Sequence, residues 1–214
     1  MVLGRRGRSF SSMAFGPIAR ALVRAGVSPD VVTVAGTLLT VGIAFGLLAR
    51  GHLVVGSLAL GVVLLTDSID GLMARQVGRS STWGAFLDST MDRFGDAAIF
   101  AAITIYALSV PAPAGTWLFG FALALIPLAL IVSYARARAE AVGFTAAVGL
   151  AERADRLIVT LVACLLVGLG LSPWILVVGV GYAAVASLIT VIQRMVTVYR
   201  QSVAGEEREA SNGT

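Results

Sequence analysis

The chain has 214 residues, of which 57% are hydrophobic and 13% charged, and its formal net charge is +4. Its mean hydropathy of +0.90 is far above that of an ordinary soluble domain and predicts an integral membrane protein. The single cysteine, Cys164, lies in an apolar run and cannot pair within the chain, so redox chemistry is not expected. The single histidine, His52, lies in a predicted interfacial turn, which argues against histidine-based metal binding or acid–base catalysis.

The chain is predicted to form one membrane domain, residues 10–204, between two tails. Residues 1–9 are a basic tail without the features of a signal peptide, and residues 205–214 are acidic and predicted to be unstructured. From Phe10 to Ala25, apolar positions alternate with basic ones, which is typical of an amphipathic helix lying at the membrane interface. Ser28 and Pro29 then mark the start of the next helix.

Six apolar segments follow, and a transmembrane helix needs about 20 such residues. They are predicted at 31–48, 53–75, 83–108, 117–140, from after 156 to 170, and from 174 to between 194 and 200. The predicted fold class is therefore an all-α integral membrane protein with six transmembrane helices, preceded by the N-terminal interfacial amphipathic helix.

The distribution of arginine predicts the orientation in the membrane. The N-terminus and the loops at 75–82, 136–156 and 194–208 hold every arginine except Arg50 and Arg93. The loops at 51–52, 110–116 and 170–173 are nearly uncharged. By the positive-inside rule, we expect both termini and the arginine-rich loops on the cytoplasmic side of the cell membrane.

Four carboxylates lie inside or at the edge of two of these apolar segments. Asp67 and Asp70 are three residues apart, and Asp88 and Asp92 are four apart, so each pair lies on one face of its helix. Ionised groups at membrane depth are costly, and two such pairs would repel each other unless a cation lay between them. Because all the ligands are oxygens, we interpret the cluster as a site for Mg²⁺, with Mn²⁺ also possible. Asp96, one turn further on, is interpreted as a residue that supports the ligands or packs between helices, rather than as a metal ligand.

The stretch containing these carboxylates follows the pattern Asp67-x2-Asp70-Gly71-x2-Ala74-Arg75-x8-Gly84-x3-Asp88-x3-Asp92. This pattern resembles the signature of the CDP-alcohol phosphotransferase family. Members of that family are integral membrane enzymes that move a phospho-alcohol group from a CDP-linked donor to an alcohol. The six predicted spans and the cytoplasmic site are similar to the family along almost the whole chain.

The resemblance implies a role for each residue of the site. Asp67, Asp70 and Asp88 would be metal ligands, and Asp92 would be the general base that also contacts a second ion, so that two ions clamp the reaction centre. The residues that would bind CDP-diacylglycerol are Asp30, Val31, Val32, Thr33, Gly71, Ala74, Arg75, Ser81 and Gly84. From the residues alone, Gly71, Ala74 and Gly84 could instead serve only helix packing, and Arg75 could be a topology determinant or a partner of the aspartates.

A second group of charged residues suggests the chemistry of the acceptor. It consists of arginines at the predicted cytoplasmic ends of the last three spans: Arg136, Arg138, Arg153, Arg156 and Arg194. Guanidinium groups bind phosphate in a bidentate manner, so these residues suit a phosphorylated acceptor. The alternative is a solvated, positively charged cytoplasmic loop without a ligand.

Four segments, at 28–33, 133–140, 152–157 and 193–194, resemble the actinobacterial phosphatidylinositol phosphate synthases within this family. That resemblance implies CDP-diacylglycerol and inositol phosphate as substrates, and a homodimer in the lipid bilayer, with no nucleic-acid partner. Arg136 differs from the lysine expected at its position. A phosphatidylglycerophosphate synthase, with glycerol 3-phosphate as acceptor, is the alternative within the family. A divalent-cation transporter is a distant alternative. It would need polar residues that continue from the aspartates towards the outer face, and the 53–65 segment offers only Ser57.

Overall fold

The computed structural model describes Arg24 and residues 26–66, 81–150 and 152–212. Within these ranges the chain is all-helical, which confirms the predicted secondary-structure class. The α-helices of the described residues are α1 Pro29–Gly46, α2 Leu53–Thr66, α3 Thr82–Ala107, α4 Ala114–Ala141, α5 Arg153–Gly168 and α6 Trp174–Asn212. A short 3-10 helix, Leu48–Arg50, connects α1 to α2.

Three helical stretches are long and apolar enough to cross a membrane: Pro29–Arg50, Ala114–Ala141 and Trp174–Glu207. Only 22% of the first apolar window and 28% of the second are buried, so most of their apolar side chains face outward. Leu38 is 66% exposed and Val178 is 68% exposed, as expected of a surface that contacts lipid rather than water. The structure therefore fits a membrane protein.

Six spans were predicted, whereas three helical stretches of the described residues meet the length and composition of a membrane span. In the described chain α5 has only 16 residues, and α3 carries four charged residues between Asp88 and Asp96, so neither qualifies by length and composition. The apolar helix Leu53–Leu65 is also short, and the 67–75 part of its predicted span lies outside the described residues. The predicted amphipathic helix at 10–25 also lies outside them, apart from Arg24.

The chain divides into two compact units, residues 1–99 and residues 100–214, and the division falls within α3. In the first unit, α1 packs against α2, and Ala44 and Leu60 are fully buried. Ser28 caps α1, because its Oγ accepts a hydrogen bond of 3.3 Å from the backbone N–H of Val31. Pro29 lies in the first turn, as the sequence predicts.

In the second unit, α6 packs against both α4 and α5. The apolar core between these helices includes Leu118, Leu125, Leu157, Cys164, Leu176 and Val180. Gly179 allows α5 and α6 to approach closely, because a Cβ atom there would lie 3.0 Å from the Cβ of Ala163. The close packing of α5 on α6 therefore depends on the absence of a side chain at Gly179.

The last helix continues to Asn212, past residue 205, where the sequence predicted an unstructured tail. Alanine and glutamate favour helix, and they make up most of the stretch from 204 to 210. A polar segment of this composition can extend an existing helix without the cost of starting a new one. The helix therefore passes the predicted domain end at 204 without a break.

Candidate active site

Four of the predicted site residues lie at the start of α3. Ser81 immediately precedes the helix and caps it, because its Oγ accepts a hydrogen bond of 2.9 Å from the backbone N–H of Gly84. Asp88 and Asp92 follow Gly84 at intervals of four residues, so the three positions lie on one face of the helix. The cap and this spacing hold the glycine and the two carboxylates in a single row.

The acidic residues of α3 become progressively more buried along the helix. Asp88 is exposed, the side chain of Asp92 is 18% exposed, and Asp96 is 1% exposed. The Nη2 of Arg93 lies 3.5 Å from the Oδ2 of Asp92, which offsets part of the negative charge. The burial of Asp96 agrees with its interpretation as a supporting or packing residue, whereas Asp88 and Asp92 remain accessible.

The described carboxylates supply part of the predicted metal site. Within the described ranges, no group of three or more histidine, cysteine, aspartate or glutamate side chains could hold a metal ion. The predicted ligands Asp67 and Asp70 lie outside those ranges, as do Gly71, Ala74 and Arg75. Asp88 and Asp92 provide only oxygen donors one helical turn apart, which fits a hard divalent cation. The complete ligand set stays a prediction.

The structure brings the N-terminus of α1 against the N-terminus of α3. The indole Nε1 of Trp83 donates a hydrogen bond of 3.1 Å to the Oδ2 of Asp30. A Cβ atom at Gly84 would lie 3.9 Å from the Oδ1 of Asp30 and 3.2 Å from the Oγ of Ser81. Three residues predicted to bind the nucleotide donor, Asp30, Ser81 and Gly84, are therefore neighbours. Trp83 is not among the predicted site residues, and its only sequence signal is its position between Ser81 and Gly84.

The three residues after Asp30 face different surroundings. Val31 is 58% exposed, Val32 is half-buried, and Thr33 is buried. The Thr33 hydroxyl donates to the backbone carbonyl of Pro29, one turn earlier in α1. Val31 therefore belongs to the open surface of this region, whereas Thr33 packs inward.

The arginines predicted to bind the acceptor fall into an exposed group and a buried group. Arg136 is exposed, and its Nε lies 2.9 Å from the Oε1 of Glu140. Arg138 is exposed and Arg153 is half-buried. Arg156, by contrast, is only 1% exposed, and Arg194 is 7% exposed. A solvated loop accounts for the exposed members but not for the two buried guanidinium groups, because burying a charge is costly.

Arg194 links α6 to two other segments of the second unit. Its Nε donates a hydrogen bond of 3.0 Å to the carbonyl of Val148, and its Nη1 donates to the carbonyl of Val132 in α4. Arg136, Glu140 and Glu152 lie within electrostatic range of its guanidinium. Arginine has five N–H donors, so these two bonds leave donors for a further ligand.

The first turn of α5 orients the remaining arginines. The Oδ2 of Asp155 accepts a hydrogen bond of 3.1 Å from the backbone N–H of Glu152, the residue that precedes the helix. This contact is half of a capping box and fixes where α5 begins. The positions of Arg153 and Arg156, in the first turn, follow from that start.

Residues 26–151 match the family model described as CDP-alcohol phosphatidyltransferase. This chain belongs to that family, which confirms the resemblance seen in the aspartate motif, and it is a phosphatidyltransferase enzyme. It is 46% identical to the phosphatidylinositol phosphate synthase of Cutibacterium acnes, over 86% of this chain and 91% of that protein. It is 38% identical to the phosphatidylinositol phosphate synthase of Streptomyces avermitilis, over 98% of this chain and 88% of that protein.

The fold is similar to crystal structures of the Mycobacterium tuberculosis phosphatidylinositol phosphate synthase. The structure with CDP-DAG bound has a TM-score of 0.81 and 36% identity, and covers 87% of this chain and 94% of that one. The structure in complex with manganese and citrate has a TM-score of 0.80 and 37% identity, over 86% of this chain and 88% of that one. These similarities confirm the narrower resemblance and favour an enzyme over a cation transporter.

Proposed function

We propose that this protein transfers the phosphatidyl group of CDP-diacylglycerol to inositol phosphate, giving phosphatidylinositol phosphate and CMP. The observation that carries the proposal is the 46% identity to a phosphatidylinositol phosphate synthase along most of both chains. An acceptor hydroxyl oxygen forms a bond to the phosphorus that bears the diacylglycerol. The pyrophosphate bond to CMP breaks, and the hydroxyl proton passes to a base.

Asp92 is the proposed base, together with a role as metal ligand. Its side chain is partly buried, so it keeps access to substrate while most of its surface is shielded from water. It lies one turn beyond Asp88, and the two would hold a divalent ion together with Asp67 and Asp70. Mg²⁺ or Mn²⁺, as two ions, would stabilise the negative charge on the transferred phosphoryl group and on CMP. The manganese complex of the M. tuberculosis enzyme supports a divalent metal.

The donor headgroup is proposed to bind where α1 and α3 begin. The contact of Trp83 with Asp30, and the closeness of Gly84 to both Asp30 and Ser81, support this location. Val31, Val32 and Thr33 continue the same region along α1, and Gly71, Ala74 and Arg75 are assigned to it by the motif alone. The CDP-DAG complex of the M. tuberculosis enzyme supports this donor.

The acceptor phosphate is proposed to bind the arginines of the second unit. Arg194 keeps N–H donors beyond its bonds to Val148 and Val132, and Arg136 within electrostatic range adds positive charge, which supports a phosphate ligand here. Arg156 is assigned to the same set by the resemblance. Arg138 and Arg153 complete the proposed set at its more exposed side.

An acceptor panel tests the proposed reaction. Purified protein with CDP-diacylglycerol and Mg²⁺ is given inositol phosphate, glycerol 3-phosphate or unphosphorylated inositol, and CMP release is measured. We expect CMP only with inositol phosphate, because the arginines are proposed to bind the acceptor phosphate and the relatives of this chain are phosphatidylinositol phosphate synthases. CMP release with glycerol 3-phosphate and none with inositol phosphate would contradict the proposal.

The arrangement in the membrane is part of the same proposal. We propose a membrane domain at residues 10–204 that consists of an interfacial amphipathic helix followed by six transmembrane helices. The domain lies in the cell membrane, with both termini and the site on the cytoplasmic side. The apolar outward faces of Pro29–Arg50 and Ala114–Ala141 support membrane insertion. A homodimer is proposed from the resemblance alone.

A further inference from the structure

The segment between α4 and α5 forms no regular secondary structure in its described part, residues 142–150, here called the connector. Its Thr145 makes a pair of backbone contacts with the side-chain amide of Gln201 in α6. The Oε1 of Gln201 accepts a hydrogen bond of 3.0 Å from the Thr145 backbone N–H, and its Nε2 donates a hydrogen bond of 2.7 Å to the Thr145 carbonyl. The Thr145 hydroxyl lies a further 3.2 Å from the same Oε1. One side chain therefore satisfies both backbone groups of this residue.

The connector contacts α6 at two more points. The Val148 carbonyl accepts from Arg194, and the backbone N–H of Leu150 donates 3.1 Å to the Oγ1 of Thr190. Between them, Gly149 has a φ of +152°, and a Cβ atom there would lie 2.4 Å from the Cγ2 of Thr190. The glycine is therefore needed for the connector to approach α6 this closely.

The three α6 residues form one row on the helix. Thr190, Arg194 and Gln201 are spaced by four and seven residues, which places them on a single face. As the connector runs from Thr145 to Leu150, its partners run backwards along α6 from Gln201 to Thr190. The row holds a non-helical segment whose backbone groups would otherwise need water.

The connector joins two groups of proposed acceptor arginines. Arg136 and Arg138 lie in the last turns of α4, before the connector, and Arg153 and Arg156 lie in the first turn of α5, after it. A connector fixed on α6 therefore fixes the distance between these two groups and their distance from Arg194. Without that restraint, a phosphorylated ligand would have to order the segment itself, which weakens binding.

We infer that Gln201 is a positioning residue for the acceptor site, acting through its amide contacts with the connector. This role rests on the proposed function for the acceptor arginines, but the contact itself does not. Gln201 is not one of the residues proposed to bind the acceptor, and it acts on the site through Thr145. A purely structural role would lower stability and affect both substrates equally, whereas a positioning role affects the acceptor alone.

The first measurement is hydrogen–deuterium exchange of peptides covering residues 143–150, in Gln201→Ala and Gln201→Glu. Glutamate keeps the side-chain length and the Oε1 acceptor. It replaces the Nε2 donor by a carboxylate oxygen, which the Thr145 carbonyl repels. We expect exchange in the connector to rise about fivefold or more in both variants, as for loss of a net stabilising hydrogen bond. Ser202→Ala, one residue along the same helix, is the matched control and should leave exchange unchanged.

The second measurement is steady-state CMP release with the same variants, using whichever phosphorylated acceptor the wild type converts. We expect the acceptor KM to rise about fivefold, with the CDP-diacylglycerol KM and kcat changed less than about twofold. Gly149→Ala should give the same pattern, because its Cβ atom would push the connector off Thr190.

Two results would overturn the inference. Unchanged connector exchange in both Gln201 variants would show that the amide contact does not hold the segment. Faster exchange with equal changes in the two KM values, or with neither changed, would show that the contact does not position the acceptor site. Because the acceptor is chosen from wild-type activity, a failure of inositol phosphate as substrate is seen in the wild type and is separate from either result.

Discussion

At the scale of single residues, Asp92 differs from its neighbours in α3 by being only partly accessible and adjacent to Arg93. Asp92→Asn keeps an oxygen ligand and the side-chain size but cannot accept a proton. We expect kcat to fall by about 10²-fold or more, with Mn²⁺ affinity largely retained. CMP release measures the first, and electron paramagnetic resonance of added Mn²⁺ measures the second.

Two further variants serve as a comparison and a control for this prediction. Asp67→Asn should weaken Mn²⁺ binding itself, because Asp67 is proposed as a ligand without a base role. Ser89→Ala, on the same helix, is the control, because the Ser89 hydroxyl is exposed and donates a hydrogen bond of 3.0 Å to the backbone carbonyl of Phe86, one turn earlier. Full activity in Asp92→Asn would refute the base assignment.

Arg194 illustrates a residue whose role depends on geometry as well as charge. Lysine at this position keeps the positive charge but cannot reach the carbonyls of both Val132 and Val148. We expect Arg194→Lys to destabilise the protein by about 1–3 kcal/mol, the cost of a buried unsatisfied group, and to raise the acceptor KM more than the donor KM. Thermal unfolding and CMP-release kinetics measure the two effects.

The control for this substitution is Arg200→Lys on the same helix, where the side chain is exposed. It should leave both the unfolding temperature and the KM values unchanged, because exposed charges contribute little to stability. Wild-type stability in Arg194→Lys would mean that the two carbonyl contacts are not needed.

At the scale of elements, the starts of α1 and α3 form one local unit through Asp30, Trp83 and Ser81. Gly84→Ala would introduce a Cβ atom 3.2 Å from the Ser81 Oγ and 3.9 Å from Asp30. Overpacking costs about 1–3 kcal/mol, so we expect the KM for CDP-diacylglycerol to rise about tenfold while the acceptor KM changes little. CMP-release kinetics with each substrate varied in turn provide the measurement.

Gly120→Ala in α4 is the matched control, because no atom of the described residues lies within 4 Å of where its Cβ would be, apart from adjacent residues and the backbone of the helix itself. It should leave both constants unchanged. Equal changes of donor and acceptor KM in Gly84→Ala would argue against a donor site at the start of α3.

At this scale the sequence predicted more about helix starts than about helix ends. Ser28 and Pro29 lie at the start of α1, as predicted, because capping depends on residues within one turn of each other. The last helix continues beyond the predicted end of its span, between 194 and 200, because a polar tail of helix-favouring residues can be helical or not, depending on the helix that precedes it.

At the scale of the whole molecule, the orientation in the membrane can be tested with introduced cysteines. Cys164 is fully buried and should not react with an added maleimide. We expect Ser109→Cys, in a nearly uncharged loop, to react with a membrane-impermeant maleimide in intact cells. Ala204→Cys should react only after the membrane is opened, because the arginine-rich side is predicted to be cytoplasmic. The reverse labelling pattern would invert the topology.

Metal dependence is a second property of the whole enzyme. Treatment with EDTA should abolish CMP release, and Mg²⁺ or Mn²⁺ should restore it, because a site made only of carboxylates prefers hard cations. Wild-type activity after complete chelation, verified by elemental analysis, would refute the metal site.

The sequence by itself determined the membrane class, the helical fold, the family and the reaction chemistry. These depend on composition and on residue types at spacings within a few helical turns, which the chain carries locally. Only the tertiary structure decided which arginines are buried, that Trp83 contacts Asp30, and that α6 holds the connector. The partners in those contacts lie 40 to 62 residues apart along the chain, so the contacts depend on how the helices pack rather than on any local pattern.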